Sequence, residues 1–284
     1  MSDESCVAFL QWALPRMGMR WKGFRKVRRQ VCRRIRQRIT ELGLPGFGEY
    51  RTYLEDSPEE WRRLAPLCRV TISRFGRDRG VWRLLADEVL PELAENLPSG
   101  APFRAWSAGC ASGEEPLTLS ILWRMEWEHK FPGHPLEVVA TDVDPRVLQR
   151  ARAGRYSASS LKDLAPHRVA AAFTRVEGEG DAEGGETIHQ LRDEYRQGVS
   201  FRRQDLLQEM PEGPFQLIFC RNLAFTYFDA ALQRPILEGL LERLAPGGAL
   251  VLGSHERLPD REPPWPLAPW SRGEPVYRLE PSKR

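Results

Sequence analysis

The stretch FRAWSAGCASGEEPLTLS, residues 103–120, decides the fold that this sequence predicts. It begins with a short apolar run, continues with small residues, and reaches the acids Glu114 and Glu115 before an apolar segment suited to a helix. A strand, a small-residue turn and a helix in this order bring the backbone close to a nucleotide-like ligand at the carboxyl edge of a parallel sheet. Gly109 and Gly113 supply the conformational freedom and the missing Cβ atoms that such an approach needs.

The acids in this turn indicate the charge of the ligand. A dinucleotide fingerprint has a third glycine, and its helix start binds a pyrophosphate. Glu114 and Glu115 suit the helix dipole but repel phosphate, so they favour a cationic ligand such as the sulfonium and amino groups of S-adenosylmethionine. The stretch alone leaves open a plain strand-to-helix turn with an acid at the helix start.

Length and composition set the frame for this turn. The 284 residues allow one large α/β domain, or one such domain and a small one, and the apolar fraction of 41% suffices for a packed core. No run approaches the length of a membrane span, and the first twenty residues lack the order of a secretory signal. We therefore expect no membrane insertion.

The cysteines predict the compartment. The five cysteines are odd in number and far apart, with no CxxC pair, and the five histidines are equally scattered. This pattern suggests neither a disulfide framework nor a metal site. It predicts a cytoplasmic protein.

The first 69 residues form the basic part of the chain. They hold 15 Lys/Arg and 8 Asp/Glu, a balance of +7 within a chain of net charge +3. Residues 20–38 are arginine-rich, with an apolar stripe at helical spacing that ends before Gly43 and Pro45. The stripe consists of Phe24, Val27, Val31, Ile35 and Ile39. The basic face is either a solvated surface or a site for an acidic protein or nucleic-acid phosphates. Nucleic acid is disfavoured, because no aromatic platform accompanies the arginines.

The next predicted strand, residues 136–141, ends in a second group of acids. A carboxylate at the tip of the second strand holds the ribose hydroxyls of a bound nucleoside by charge-assisted hydrogen bonds. Asp142 has that position. Asp144 precedes Pro145, so we expect it to cap the following helix, residues 145–153.

Residues 155–200 interrupt the alternation of strands and helices. A polar glycine turn at 177–186 is flanked by possible strands at 173–176 and 187–191, with 199–203 after them. The pattern predicts a small antiparallel insertion, which is either an inert excursion or an edge that docks a partner.

The remaining pattern completes an alternating α/β domain. Residues 215–220 are a continuous apolar run suited to the middle of a parallel sheet, and Arg221 and Asn222 follow at its carboxyl edge. The other predicted elements are a helix at 80–95 with an apolar face at Val81, Leu84, Leu85 and Val89, a helix at 230–244, a turn at 245–248, and strands at 249–254 and 276–279.

Five blocks of sequence together resemble a known family. They are TISRFGRD, WSAGCASGEEPLTLSI, VVATDVDPRVLQRARAGRY, FCRNLAFTYFD and LAPGGALVLGSHE, which begin at residues 71, 106, 138, 219 and 244. In order and spacing they are similar to the signature blocks of CheR-type methyltransferases, the S-adenosylmethionine-dependent enzymes that methylate glutamates of chemotaxis receptors. The resemblance runs from about residue 9 to residue 279.

The resemblance implies a class I methyltransferase fold, a doubly wound and mostly parallel seven-stranded sheet. It also implies a helical basic N-terminal domain at 1–69, a linker helix at 70–98, and a methyltransferase domain at 99–284 that carries the β insertion. The implied partner is an acidic helical segment of a receptor, held by the basic helix 20–38.

The resemblance also assigns roles to individual residues. Arg77 and Tyr227 would be catalytic. Those that would bind the cofactor are Thr71, Ser73, Arg77, Glu114, Asp142, Asp205, Leu206, Arg221 and Asn222. The sequence departs from the family pattern in having Thr71-x-Ser73 for Asn-x-Thr, Phe75-Gly76 for a double phenylalanine, and one additional residue between Asn222 and Tyr227. These departures bear on the substrate more than on the cofactor.

The chemistry fits a carboxylate acceptor. A glutamate with a pKa near ~4.3 is ionised at neutral pH, so it needs no general base, and the blocks offer no obvious one. Arg77 and Tyr227 could steer such a carboxylate, or they could be a surface arginine and a core tyrosine. A small molecule or a different protein as the methyl acceptor, and a nucleic-acid-binding protein without activity, are the alternatives left open.

Overall fold

A computed structural model describes residues 3–176 and 187–280, so the predicted glycine turn at 177–186 lies outside the described residues. The chain forms two compact units. The helical unit comprises Met1–Thr71 and Leu223–Gln233, and the sheet unit comprises Ile72–Asn222 and Arg234–Arg284. The three-part division expected from the sequence, with boundaries after residues 69 and 98, stays a prediction.

Helices make up the first part of the chain, and helices and strands alternate afterwards. The helices are α1 Asp3–Arg16, α2 Trp21–Phe24, α3 Arg28–Glu41, α4 Phe47–Asp56, α5 Pro58–Leu67, α6 Arg79–Leu84, α7 Leu90–Glu95, α8 Glu114–Glu126, α9 Pro145–Ala153, α10 Ala158–Leu161, α11 Pro166–Ala172, α12 Ala224–Tyr227 and α13 Ala230–Glu242. The strands are β1 Phe103–Ala108, β2 Leu136–Asp142, β3 Arg155–Ser157, β4 Phe173–Val176, β5 Ile188–Leu191, β6 Val199–Arg203, β7 Phe215–Phe219, β8 Leu244–Val251, β9 Leu267–Pro269 and β10 Val276–Leu279.

In the helical unit the basic segment forms two helices instead of one. Phe24 of α2 and three stripe residues of α3 are fully or almost fully buried, so the apolar spacing is confirmed. The break lies between α2 and α3, because α2 packs against α12. A Cβ on Gly23 would lie 2.2 Å from the carbonyl oxygen of Thr226, and the N–H of Arg20 donates to the carbonyl of Tyr227 at 2.8 Å. Tertiary contacts thus override a periodicity that continues across the break.

The expectation that the cysteines form no disulfide is wrong. Cys6 of α1 and Cys32 of α3 are joined by a disulfide, with their Cα atoms 6.0 Å apart. The remaining three, Cys68, Cys110 and Cys220, are buried and are not part of a disulfide. The sequence separation of 26 residues carries no sign of this pair, which forms because the buried faces of α1 and α3 share one core.

The sheet unit is built on seven strands in the order β6-β2-β1-β7-β8-β10-β9. The five from β6 to β8 are parallel to one another. β10 pairs antiparallel with β8 on one side and with β9 on the other. The mostly parallel seven-stranded sheet is therefore confirmed. Strand order reverses at β1, which lies between β2 and β7. In open α/β sheets that is the point where ligands bind, outside the carboxyl ends of the strands.

Three details of this sheet differ from the sequence prediction. The predicted turn at 245–248 lies inside β8, which begins at Leu244 and pairs with β7 across an irregularity in register. A strand that the sequence did not predict, β9, pairs outside the strand at 276–279. Residues 199–203 form β6, which belongs to the main sheet and not to the small insertion. A three-residue strand such as β9 leaves too short a pattern for the sequence to reveal.

The small antiparallel insertion is confirmed as a three-stranded sheet in the order β3-β5-β4. Phe75 packs edge-to-face against Tyr156 of β3 and Phe173 of β4, at 4.8 and 5.2 Å between ring centroids. The helix expected at 80–95 forms as α6 and α7 joined by a π-helical turn, and its four predicted apolar residues are buried. This helix covers one face of the main sheet.

Candidate functional site

The turn after β1 has the conformation that the sequence predicts. Gly109, Ala111 and Gly113 all have positive φ angles, of 76°, 47° and 88°. A Cβ on Gly113 would lie 2.9 Å from the Cβ of Ala151, so only glycine fits there without a shift. The N–H groups of Gly109 and Cys110 both donate to the carbonyl of Thr141, at 2.8 and 2.9 Å. The turn is thus tied to the carboxyl end of β2.

Asp142 lies at the tip of β2, where it orders both acidic turns. One carboxylate oxygen accepts from the N–H of Ala111 at 3.0 Å, and the other from the N–H of Asp144 at 2.9 Å. Asp144 caps α9, since its side chain accepts from the N–H of Arg146. The structure therefore separates the two acids as expected, with Asp144 as the cap and Asp142 beside the turn.

Glu114 is the carboxyl group with the most unusual environment. It is 5% exposed, it accepts a hydrogen bond from Ser73, and its Oε2 has no hydrogen-bond partner among the described residues. Burial raises its pKa from 4.5 to about 7, although Ser73 and the guanidinium of Arg150 oppose the rise. A buried, half-satisfied carboxyl is unfavourable unless a cation or donor supplies the missing partner.

The adjacent carboxyl, Glu115, belongs to a buried ion cluster. It accepts from Ser107 at 2.7 Å and from the guanidinium of Arg221 at 3.1 Å. Arg221, whose side chain is 3% exposed, also donates to Asp78 at 2.8 Å and to the carbonyl of Arg77 at 2.9 Å. Burial raises the pKa of Glu115, and the charge of Arg221 opposes it. Arg221 thus joins the segment before α6 to the start of α8.

Arg77 and Asn222 meet directly. A terminal nitrogen of the Arg77 guanidinium donates to the side-chain oxygen of Asn222 at 3.1 Å, and the other donates to the carbonyl of Ile72 at 3.3 Å. Asn222 follows β7 with a φ of 55°, a conformation that asparagine adopts more readily than most residues. Arg77 remains partly exposed, so its guanidinium is accessible to a ligand.

Asp205 and Leu206 follow β6, next to β2. The N–H of Gln204 donates to the carbonyl of Asp142 at 3.2 Å, which ties the two strand ends together. Asp205 accepts from the N–H of Leu207 at 3.0 Å, and both predicted residues are partly exposed.

Two predicted site residues belong to the helical unit. Thr71 ends its first segment, and Tyr227 lies on α12. The ring of Tyr227 packs edge-to-face on Phe24 of α2, with centroids 5.0 Å apart, and it borders the core of that unit. The other eight lie in the sheet unit, where the contacts above join Ser73 to Glu114 and Arg77 to Asn222.

These groups fit the implied S-adenosylmethionine. An ammonium group would supply the partner that Glu114 Oε2 lacks, and the positive φ angles of the turn bring backbone rather than side chains to the ligand. The carboxylate of Asp142 offers charge-assisted hydrogen bonds to ribose hydroxyls. Among the described residues, no group of three His, Cys, Asp or Glu side chains could hold a metal ion.

Three residues shape this site although the sequence prediction did not name them as binding or catalytic residues; Glu115, which was expected to favour a cationic ligand, pairs with Arg221 instead. Asp78 and Glu115 hold Arg221, and Glu256, which is 2% exposed, accepts from the N–H of Asn222 at 2.8 Å. All three lie inside the sequence blocks quoted above. Their acidic character beside Arg77, Glu114 and Gly253 was the available signal, but only the fold shows which acid meets which donor.

No helix in the described part of the chain is both long and apolar enough to cross a bilayer.

Comparison with known proteins identifies the family. Residues 71–268 match the family model of the CheR methyltransferase SAM-binding domain, and residues 26–65 match that of the CheR methyltransferase all-alpha domain.

Individual relatives agree with these matches. A chemotaxis protein methyltransferase of Listeria innocua is 33% identical over 229 residues, which cover 81% of this chain and 81% of the relative. One of Escherichia coli is 33% identical over 256 residues, covering 89% and 83%. The chain belongs to the CheR methyltransferase family and is an S-adenosylmethionine-dependent methyltransferase.

Proposed function

We propose that this methyltransferase forms methyl esters on glutamate side chains of an acidic, helical segment of a chemoreceptor-like protein. The observation that carries the proposal is that the sheet unit holds both Glu114, a buried carboxyl suited to a cation, and Arg77, a partly exposed arginine whose guanidinium contacts Asn222 after β7. A cation-binding group for the methyl donor and an anion-binding group for the acceptor are what esterification of a carboxylate requires. The relatives are named chemotaxis methyltransferases, in agreement with this substrate.

The cofactor roles follow from the environment of each residue. We assign the amino group of the cofactor to Glu114 with Ser73, the ribose to Asp142, and the adenine to Asp205 and Leu206. We also assign Thr71, Arg77, Arg221 and Asn222 to cofactor binding, the last two at the edge of the sheet. Because the guanidinium of Arg221 already serves Glu115 and Asp78, its contribution is to hold the site in shape.

The chain positions the acceptor, and positioning is the larger part of catalysis in such a displacement. When bound, S-adenosylmethionine would supply a methyl group on a sulfonium sulfur. That sulfur would become the neutral thioether of S-adenosylhomocysteine as a carboxylate oxygen accepted the methyl group. Arg77 orients that carboxylate by a charge-assisted hydrogen bond, and Tyr227 adds a hydroxyl donor. Cys110 does not compete as a nucleophile, because burial raises the pKa of its thiol well above the usual value.

The partner would be held by the basic surface, which we define as Lys22, Arg25, Lys26, Arg29 and Arg33. These five side chains are exposed. Other arginines of α3 are engaged within the helical unit: Arg38 forms two hydrogen bonds with Glu60, and Arg34 donates to the carbonyl of Arg69. Some arginines of the basic segment thus have structural partners and others are exposed, and the exposed ones support the proposed docking of an acidic helix.

The substrate is tested by incubation with methyl-labelled cofactor and membranes that carry the cognate receptor. We expect base-labile label on the receptor and glutamyl methyl esters by mass spectrometry of its peptides. Arg77→Ala should abolish the label even at cofactor concentrations that saturate the variant, as judged by binding of S-adenosylhomocysteine. Base-stable label, or label on a small molecule only, would contradict a glutamate acceptor while leaving the methyltransferase in place.

The basic surface is tested separately by charge reversal. Arg29→Glu with Arg33→Glu should raise the KM for the receptor about tenfold, and the increase should shrink at high salt, since each exposed pair contributes up to about 1 kcal/mol. The kcat should not change. The control is Arg62→Glu, which reverses an 80% exposed arginine on α5 of the same unit. Equal effects from both variants would rule out a defined docking surface.

We also propose that the protein acts in the cytoplasm. The three buried cysteines outside the disulfide fit a reducing compartment, whereas the Cys6–Cys32 pair is uncommon there. Thiol alkylation after acid quenching of intact cells decides the point: a reduced Cys6–Cys32 pair supports the cytoplasm, and a fully oxidised pair contradicts it.

A further inference from the structure

The carboxylate of Glu256 joins the ends of two neighbouring strands. It follows β8, is 2% exposed, and one of its oxygens accepts from the N–H of Asn222 at 2.8 Å and from the N–H of Gly253 at 2.6 Å. Asn222 follows β7, which pairs with β8. An ionised carboxylate is tolerated in such a buried place only where donors satisfy it. The two hydrogen bonds to this carboxyl group therefore fix the backbone between the two strand ends.

This backbone sets the direction of the Asn222 side chain. Asn222 has a φ of 55°, which is a left-handed conformation. The hydrogen bond from its N–H to Glu256 stabilises that conformation. A Cβ on Gly253 would lie 3.0 Å from both the side-chain carbon and the side-chain oxygen of Asn222. The amide is thus confined by Glu256 through its own backbone and by the bare backbone of Gly253.

The amide in turn holds the guanidinium of Arg77, whose Nη2 donates to it at 3.1 Å. Within the described part of the chain, Asn222 is the one side chain that accepts from this guanidinium; the other acceptor is the carbonyl of Ile72. The backbone of Arg77 is fixed independently, since its carbonyl accepts from Trp82 at 3.0 Å and from Arg221 at 2.9 Å. The aim of the guanidinium therefore depends on Asn222.

We propose that Glu256 is a positioning residue for methyl transfer: it fixes Asn222, and Asn222 aims the Arg77 guanidinium at the acceptor carboxylate. The inference rests on the proposed role of Arg77 toward the acceptor. We assign Glu256 no contact of its own with the acceptor or the cofactor. Its loss should lower kcat, measured at saturating receptor and cofactor, through a misplaced Arg77.

A purely structural role, in which Glu256 only closes the turn after β8, predicts something different. Such a role would lower the stability of the fold and the amount of active enzyme, but it would act equally whatever residue stands at position 77. Rescue by a conservative change separates the two further, because the oxygen of Glu256→Gln can accept the same two N–H groups whereas Glu256→Ala offers none.

The test is a double-mutant cycle on kcat, with Glu256→Ala and Glu256→Gln placed in the wild-type protein and in Arg77→Lys. We expect Glu256→Ala to lower kcat about tenfold in the wild type and less than twofold in Arg77→Lys, and Glu256→Gln to recover to within about threefold of wild type. Leu240→Ala, which removes a buried side chain of α13, is the control for stability. Equal falls in both backgrounds, or a fall no larger than that of Leu240→Ala at matched melting temperature, would overturn the proposal.

A second readout needs no acceptor and so separates this inference from the proposed substrate. In protein saturated with S-adenosylhomocysteine, nitrogen NMR of Arg77 should show a guanidinium with hindered rotation in the wild type. That signal should turn freely averaged in Glu256→Ala and remain hindered in Leu240→Ala. An unchanged Arg77 signal in Glu256→Ala refutes the positioning role even if receptor esters form. If no ester forms but the signal changes as expected, only the substrate proposal fails.

Discussion

Each of the two units of this methyltransferase buries at least one glutamate, and Glu60 and Glu114 are satisfied in opposite ways. Glu60 of the helical unit is 4% exposed and Glu114 of the sheet unit is 5% exposed. Glu60 accepts from Arg38 through both oxygens and from the hydroxyl of Tyr50 at 2.9 Å. Glu114 retains one oxygen without a partner.

The difference between these carboxyls separates structural from ligand-binding acids. The hydrogen bonds from Arg38 hold the pKa of Glu60 below 4.5, so it is a complete ion pair within the fold. Burial raises the pKa of Glu114 to about 7, so a bound cation would stabilise its ionised form. Sequence does not distinguish them, since each belongs to a Glu-Glu pair in the first turn of a helix. The pairs are Glu59-Glu60 in α5 and Glu114-Glu115 in α8.

The largest effect should come from removing the charge of Glu114. Its folded-state pKa is raised, so ionisation costs nothing below pH 4.5, and the cost grows until about pH 7 and then stays constant. Glu114→Gln should therefore match the wild type near pH 4.5 and exceed its unfolding free energy by about 3 kcal/mol at pH 8. Urea unfolding of the cofactor-free proteins at several pH values measures this.

The same experiment with ligand is the control for Glu114. Saturating S-adenosylhomocysteine carries an ammonium that pairs with the ionised carboxyl, so the pH dependence of the wild type should largely disappear. A stability difference between wild type and Glu114→Gln that is the same at all pH values would show that Glu114 is as satisfied as Glu60, and the comparison would fail.

Glu60→Gln should have the opposite sign. Hydrogen bonds to charged groups contribute about 1.5–3 kcal/mol, so we expect this variant to lose about 2 kcal/mol of unfolding free energy at pH 7. Because the folded-state pKa of Glu60 is lowered, its contribution is present above pH 4.5 and is lost as the pH falls further. A pH series of urea unfolding checks both statements. A neutral or stabilising result would mean that burial of the ion pair outweighs its attraction.

The smallest effect is expected from Tyr50→Phe. The change removes one donor from Glu60 but leaves both hydrogen bonds from Arg38, and no group of the phenylalanine is left unpaired. We expect a loss of about 1 kcal/mol in thermal or urea unfolding. A loss equal to that of Glu60→Gln would show that the hydrogen bond from Tyr50, and not those from Arg38, supplies most of the stabilisation at Glu60.

Much of the site could be read from the chain because its residues follow strand ends. Asp142 and Asn222 follow apolar runs that form parallel strands, and parallel strands bring their carboxyl ends to one edge. The capping role of Asp144 followed from its place before Pro145. The role of Glu256 could not be read in this way, since its partner Asn222 is 34 residues distant.

The sequence by itself determined the class of enzyme: five ordered blocks, the small-residue turn with its acids, and the apolar runs of a parallel sheet specify a methyltransferase of the CheR family. Local spacing carries these features, because strands, caps and tight turns depend on neighbouring residues. Tertiary structure alone decided the break between α2 and α3, the Cys6–Cys32 disulfide, and which buried acid is satisfied. Those outcomes depend on groups brought together from distant parts of the chain, which no local pattern encodes.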